Sequence, residues 1–219
     1  MTQWTTEAVF FDLDGTLADT APDLRAAMNR LLAEEERPTI PLARFRPHVS
    51  GGAPAMLGAA FGAKPEDPGY AELRLRFLDH YEAAPCAETR LFPGVPELLD
   101  ALDARGIAWG IVTNKTERFT RLVAAALGLD ARAACIVSGD AVPRPKPAPD
   151  PLLHACALAG IAPARSSYVG DDLRDIQAAK AAGMRAVAAA WGYLGDGPPA
   201  GEWGADDIIE RPGALLDLL

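Results

Sequence analysis

An apolar run that ends on two carboxylates constrains this 219-residue chain more than any other stretch. It reads Ala8-Val9-Phe10-Phe11-Asp12-Leu13-Asp14-Gly15-Thr16-Leu17. Four consecutive apolar residues suit a strand buried on both faces, the kind found in parallel sheets. In such sheets ligands bind beyond the carboxyl ends of the strands, which is where Asp12 falls. Gly15 lets the chain leave strand geometry, so Asp12 and Asp14 can face one site. One carboxylate can then act as nucleophile and the other as acid/base. A turn with aspartates bonded to the backbone is the plainer reading of an isolated D-x-D-G. The complete D-x-D-G-T behind an apolar strand argues for chemistry instead.

Further runs predict strands at Ile107 to Val112, Cys135 to Val137, Tyr168-Val169, Ala186 to Ala190 and Ile208-Ile209. Helical stripes lie between them: Val95, Leu98, Leu99 and Leu102; then Leu122, Val123, Ala126 and Leu127; then Ile176, Ala179 and Ala182. Strands alternating with such helices predict a doubly wound α/β domain with a parallel sheet. From about Thr16 to Glu88 the alternation stops. Leu24, Ala27, Met28, Leu31 and Leu32 form one helical face, and Leu73, Phe77, Leu78 and Tyr81 another, with no convincing strand. The expected organisation is a core of residues 1–17 and 89–219 with an all-helical subdomain, 18–88, inserted after the first strand. Phe92-Pro93-Gly94 supplies a re-entry turn. Gly192 to Gly201 reads as a surface loop.

Three later segments carry chemistry, each after a predicted strand or in a loop of the same domain. In Thr113-Asn114-Lys115 a hydroxyl and backbone N–H groups could hold a phosphoryl oxygen, although Thr-Asn after a strand also suits a helix cap. In Pro145-Lys146-Pro147 the prolines fix the backbone and so the direction of the lysine, a suitable neutraliser for a phosphoryl group and a carboxylate. In Gly170-Asp171-Asp172-Leu173-Arg174-Asp175 three acids crowd one strand end. Helix capping accounts for one of them, and a hard cation with oxygen ligands accounts for the cluster. Nucleophile, acid/base, hydroxyl, lysine and metal site together make the inventory of phosphoryl transfer.

Together these segments, with Ala21-Pro22-Asp23-Leu24, resemble the motifs of the haloacid dehalogenase (HAD) superfamily along the whole chain, and look like its phosphoglycolate phosphatase branch. The resemblance implies a Rossmann-like α/β core with an inserted helical cap. It implies Asp12 as the residue phosphorylated, Asp14 as acid/base, and Mg²⁺ held by Asp12, the Asp14 carbonyl and Asp171. Asp172 and Asp175 would act at one remove or through water, while Thr113, Asn114 and Lys146 hold the transferred group. The implied activity is a Mg²⁺-dependent phosphomonoesterase working through an aspartyl-phosphate on a small phosphorylated acid, 2-phosphoglycolate first. Haloacid dehalogenases, by the same resemblance, lack the second aspartate, and a halide leaving group needs no proton.

The cap is expected to choose the substrate. Ser50, Gly51 and Gly52, within Val49 to Ala53, form the expected specificity loop, since glycines let backbone N–H groups approach a ligand closely. Arg46 is the expected contact for a substrate carboxylate. This loop, Pro68-Gly69-Tyr70 and Glu202 to Asp206 also look like the N-acetylmuramic acid 6-phosphate phosphatases, which makes that sugar acid the alternative substrate. A β-phosphoglucomutase-type mutase would need a second phosphate site near Arg44, Arg46 and His48. A non-catalytic binding module would be expected to lack Asp12 or Asp14.

About half of the residues are apolar, enough for a packed core, and the formal net charge is −9. That charge argues against nucleic-acid and membrane-surface partners. Cys86, Cys135 and Cys156 are too few and too widely spaced for a disulfide framework or a zinc site. Met1 to Glu7 carries no leader pattern, and no apolar run approaches the ~20 residues of a spanning helix. A cytoplasmic monomer or homodimer acting on a small metabolite is the expectation.

Overall fold

A computed structural model describes residues 6–219. The reading of Met1 to Thr5 lies outside those residues. The first strand, β1 (Ala8–Phe11), is buried along its whole length. It pairs in parallel with β4 (Ala108–Val112) on one side and β6 (Ser166–Gly170) on the other. Beyond β4 lies β5 (Ile136–Val137), and beyond β6 lie β7 (Arg185–Ala189) and β8 (Asp207–Ile209). Among the described residues this gives a six-stranded sheet of order β5-β4-β1-β6-β7-β8, every pairing parallel. β1 thus sits in the middle, with its carboxyl end between two flanking strand ends.

Helices cover both faces, as a parallel sheet requires. On one side Val9, Phe11, Ile111 and Val187 pack with Leu98, Leu99 and Leu102 of α5 (Val95–Ala104) and with Val123 of α6 (Glu117–Ala126). On the other, Phe10, Tyr168 and Ala186 pack with Leu152 of α7 (Asp150–Ala159) and Ile176 of α8 (Leu173–Ala182). The α6 stripe differs from expectation by part of a turn. Phe119, Thr120, Val123 and Ala124 are buried, while Leu122 lies on the solvent side. Phe119 and Thr120 extend the face at i−4 and i−3 from Val123, an arrangement that leaves Leu122 outside it.

Between residues 20 and 89 the described structure holds only helices: α1 (Ala21–Glu34), α2 (Leu42–Phe45), a 3₁₀ turn at Arg46–His48, α3 (Gly52–Phe61) and α4 (Tyr70–Ala83). Leu24, Met28, Leu31, Phe45, Leu57, Phe77 and Tyr81 form a separate apolar cluster, closed by Phe119 and Tyr193 from outside the block. Two strands that the sequence reading lacks, β2 (Ala18–Asp19) and β3 (Arg90–Leu91), pair antiparallel where the chain leaves the sheet domain and returns to it. Two residues each are too few to show an alternating pattern. Asp23, buried in the first turn of α1, accepts from the backbone N–H of Glu88 and Thr89 and from the Thr89 hydroxyl, tying the outgoing chain to the returning one.

Gly192 to Gly201 is only partly a surface loop. Tyr193 is buried, and its hydroxyl accepts from the backbone N–H of Thr20 and Ala21 and donates to Asp19. Trp191 Nε1 donates to the carbonyl of Thr16. The β7–β8 connection therefore braces the segment that follows Asp14. Among the described residues no helix is long and apolar enough to cross a membrane.

Candidate active site

Strand register brings the chemistry together. Phe11 is level with Ile111 and Val169, so Asp12 is one residue past the sheet while Thr113 and Asp171 are each two past their partners. The Asp12 N–H still donates to the Val169 carbonyl, and Thr113 N–H to that of Val137, which holds both segments at the strand ends. Lys146 arrives from the loop after β5. Its ammonium is 3.0 Å from Asp12 Oδ1 and 2.7 Å from Asp175 Oδ1, and it donates to the Tyr168 hydroxyl and the Val112 carbonyl. Burial opposes the charge on Lys146, yet Asp12 and Asp175 overcome it and hold the pKa above the ordinary lysine value. The Lys146–Asp12 contact has ion-pair distance without hydrogen-bond alignment, so Asp12 Oδ1 is buried with no hydrogen-bond partner.

Asp12, Asp171 and Asp175 each place one carboxylate oxygen within 4.8 Å of the others. Burial, then repulsion from Asp12 and Asp175, pushes the Asp171 carboxyl well above its usual range. Asp171 Oδ1 accepts from the Thr16 hydroxyl and Oδ2 from the Tyr193 N–H, one bond each. The backbone is shaped around this carboxylate. A Cβ on Gly15 would stand 2.2 Å from Asp171 Oδ2, and one on Gly192 would stand 2.1 Å from Asp171 Cβ and 2.6 Å from the Gly15 carbonyl. Crowded buried carboxylates, with one orphaned oxygen, fit a divalent cation with oxygen ligands. Asp175 suits direct ligation less well, because Oδ1 meets Lys146 and Oδ2 accepts from the Asp172 N–H. Asp172 turns away altogether: it caps α8 and pairs with Arg174.

The carboxylate of Asp14 points elsewhere. Lys115 Nζ is 3.1 Å from both of its oxygens, and the Thr20 hydroxyl donates to Oδ1. Burial lowers the affinity of Lys115 for its proton, and the facing Asp14 and Tyr81 more than restore it, so its pKa is raised. The ammonium also stands 4.8 Å from the centre of the Tyr81 ring. Lys115 has no separate role in the sequence reading. Its place in Thr113-Asn114-Lys115 was visible there, but the fold was needed to set it against Asp14.

A cavity of about 420 Å³ opens between these strand ends and the helical block. Asp12, Asp14, Thr113, Asn114, Ser50, Gly51 and Gly52 line it. Two expected contacts are placed differently. The Asn114 side chain is engaged at both ends with the Lys146 backbone, donating to its carbonyl and accepting from its N–H, so it fixes the lysine loop. The Arg46 guanidinium forms two 2.9 Å bonds to Asp19 and lies over the Tyr193 ring, and it does not line the cavity. The cations that do line it are Lys115, Arg74 and Arg174, the last donating to the Ser50 carbonyl as well as to Asp172.

Comparison with known proteins gives the same picture. Residues 6–183 match the family described as haloacid dehalogenase-like hydrolase. The chain is 43% identical over 213 residues to the N-acetylmuramic acid 6-phosphate phosphatase of Pseudomonas aeruginosa, covering 97% of this chain and 94% of that one. It is 47% identical over 211 residues to the phosphoglycolate phosphatase of Xanthomonas campestris pv. campestris, covering 96% and 95%. Among solved structures, a predicted phosphoglycolate phosphatase from Haemophilus somnus 129PT superimposes with a TM-score of 0.87 at 28% identity, covering 100% of this chain and 99% of that one.

Proposed function

This chain belongs to the haloacid dehalogenase-like hydrolase family and is a phosphatase, and on that premise we propose that it is a Mg²⁺-dependent phosphomonoesterase whose nucleophile is Asp12 and whose substrate is 2-phosphoglycolate. The observation that carries the reading is the buried Asp12 Oδ1, without a hydrogen-bond partner, beside Lys146 and the Asp171 carboxylate. Asp12 attacks phosphorus, the ester P–O bond breaks, and Asp14 gives its proton to the departing alkoxide. Asp14 then takes a proton from water, which attacks the aspartyl-phosphate, releases phosphate and restores Asp12. The Thr113 hydroxyl and backbone N–H groups beyond β4 hold phosphoryl oxygens, and Lys146 offsets their charge. Mg²⁺ would be held by Asp12, Asp171 and the Asp14 carbonyl, with Asp175 reached through water, and it would supply charge neutralisation at the transferring group.

Residues 18–88 serve as the cap over this site, with Ser50, Gly51 and Gly52 at its inner edge. Gly51 is needed there for close packing, since a Cβ would stand 2.4 Å from that of Ala55. A second reading, N-acetylmuramic acid 6-phosphate, is favoured by the cavity volume, of which a two-carbon acid fills only part. Its lining by Leu24, Met56, Phe77 and Phe119 would suit a sugar's apolar face.

Phosphate release from both acids, with Mg²⁺ and after chelation, tests the proposal. The expected result is turnover of 2-phosphoglycolate that chelation removes and Asp12→Asn abolishes. A metal-independent activity, or one that survives Asp12→Asn, contradicts it. A higher kcat/KM on the sugar acid selects the second reading.

A further inference from the structure

Arg46, the expected receptor for a substrate carboxylate, is occupied by Asp19 and stands outside the cavity lining. A 2-phospho acid brings a second negative group into a protein of net charge −9. The site must meet that group with a cation, or the desolvation cost opposes binding. Chemistry fixes where this cation has to be. In 2-phosphoglycolate the ester oxygen and the carboxyl carbon share one carbon, so a carboxylate oxygen lies about 3 Å from the ester oxygen. Asp14 must reach that ester oxygen to protonate it, at about 3 Å.

Among the cations lining the cavity, Lys115 is hydrogen-bonded to Asp14, its ammonium 3.1 Å from each carboxylate oxygen, which puts it within reach of an acid group bound beside the ester oxygen. Its side chain is only 8% exposed. An ammonium has three donors, and Asp14 engages two. Tyr81 adds a second element. Its ring face stands 4.8 Å from Lys115 Nζ, the residue lines the same cavity, and its hydroxyl is buried with no hydrogen-bond partner. A buried hydroxyl without a partner costs stability, so it calls for an explanation.

We propose that Lys115 and the Tyr81 hydroxyl together receive the carboxylate of a 2-phospho acid and thereby select substrates whose acid group is adjacent to the phosphate ester. This rests on the phosphatase reading above. One residue comes from the strand-end loop and the other from the helical block, so the carboxylate is gripped from both sides of the cavity. The Lys115–Asp14 pair gives way to a Lys115–carboxylate pair as substrate enters, and the ammonium keeps an anionic partner throughout. A sugar acid with its carboxylate across the ring from the phosphate cannot present both groups to Asp14 and Lys115 in this way.

The test is the ratio of kcat/KM for 2-phosphoglycolate to that for ethyl phosphate, which lacks only the carboxylate, measured in wild type, Lys115→Met, Tyr81→Phe and Arg74→Ala. A ratio cancels any loss of folded protein. Wild type should favour the acid. Lys115→Met should lower the ratio at least tenfold and Tyr81→Phe about threefold to tenfold, both chiefly through KM, while Arg74→Ala leaves it unchanged. Should Lys115→Met show no turnover of either ester, Tyr81→Phe decides, and an unchanged ratio there overturns the proposal. A wild-type preference that survives Lys115→Met, or falls only with Arg74→Ala, overturns it while leaving the phosphatase reading intact. No wild-type preference for the acid overturns 2-phosphoglycolate as substrate and this proposal with it.

Discussion

At the scale of single residues, the site is a problem of packing as much as of charge. Asp171 is held between two glycines that cannot accept a side chain, Gly15 and Gly192. Gly192→Ala should therefore cost about 1–3 kcal/mol in urea unfolding, as overpacking does, and lower phosphate release at least tenfold by displacing Asp171. Unchanged stability and activity would show that the backbone yields there. The sequence marks Asp12, Asp14, Lys146 and Asp171 because each is a charged residue at a strand end or between prolines. It marks Gly192 only as the start of a loop, since nothing in Trp191-Gly192-Tyr193 signals a carboxylate lying against the backbone. Arg46 shows the converse. A basic residue beside a glycine loop looks like a ligand contact, but its ion pair with Asp19, 27 positions earlier, is a tertiary fact.

At the scale of elements, two crossings join the helical block to the sheet domain, and Asp23 holds them together. Asp23→Ala would leave the N–H and hydroxyl of buried Thr89, and the more exposed N–H of Glu88, without their partner. It should destabilise the protein by about 2–4 kcal/mol in urea unfolding, whereas a change within about 0.5 kcal/mol would mean that water replaces those bonds. The long buried strands were legible as apolar runs, and so were the helical stripes of α1, α4, α5 and α8. The two-residue strands β2 and β3 were not, because their pairing depends on bringing residues 18 and 91 together. The face of α6 was misread for a related reason: Leu122 is apolar but exposed, while Thr120 is polar but buried and bonded to the carbonyls of Lys115 and Thr116. Apolar counting places both on the wrong side.

At the scale of the whole molecule, folding gathers three carboxylates into a buried space, and a cation relieves their repulsion. Because the Asp171 carboxyl titrates well above its ordinary value in the folded state, its contribution to stability is present below about pH 4 and is lost as pH rises through the folded value. Mg²⁺ competes with that proton, so its stabilisation should grow with pH. At a Mg²⁺ concentration about a hundred times the Kd at pH 8 the ion should add about 2.7 kcal/mol there, read as a rise in melting temperature that is smaller at about pH 5 with the same Mg²⁺ concentration and absent in Asp171→Asn. A pH-independent rise would place the ion elsewhere. The central claim is that Asp12 becomes covalently phosphorylated, and the most direct measurement is mass spectrometry of Asp14→Asn protein quenched during incubation with Mg²⁺ and p-nitrophenyl phosphate, whose leaving group departs without a proton from Asp14. Without Asp14 to activate water, one phosphoryl group should accumulate on the peptide containing Asp12 and be missing when Asp12→Asn is added. A phosphoryl group on any other residue, or turnover with none at Asp12, would contradict the account.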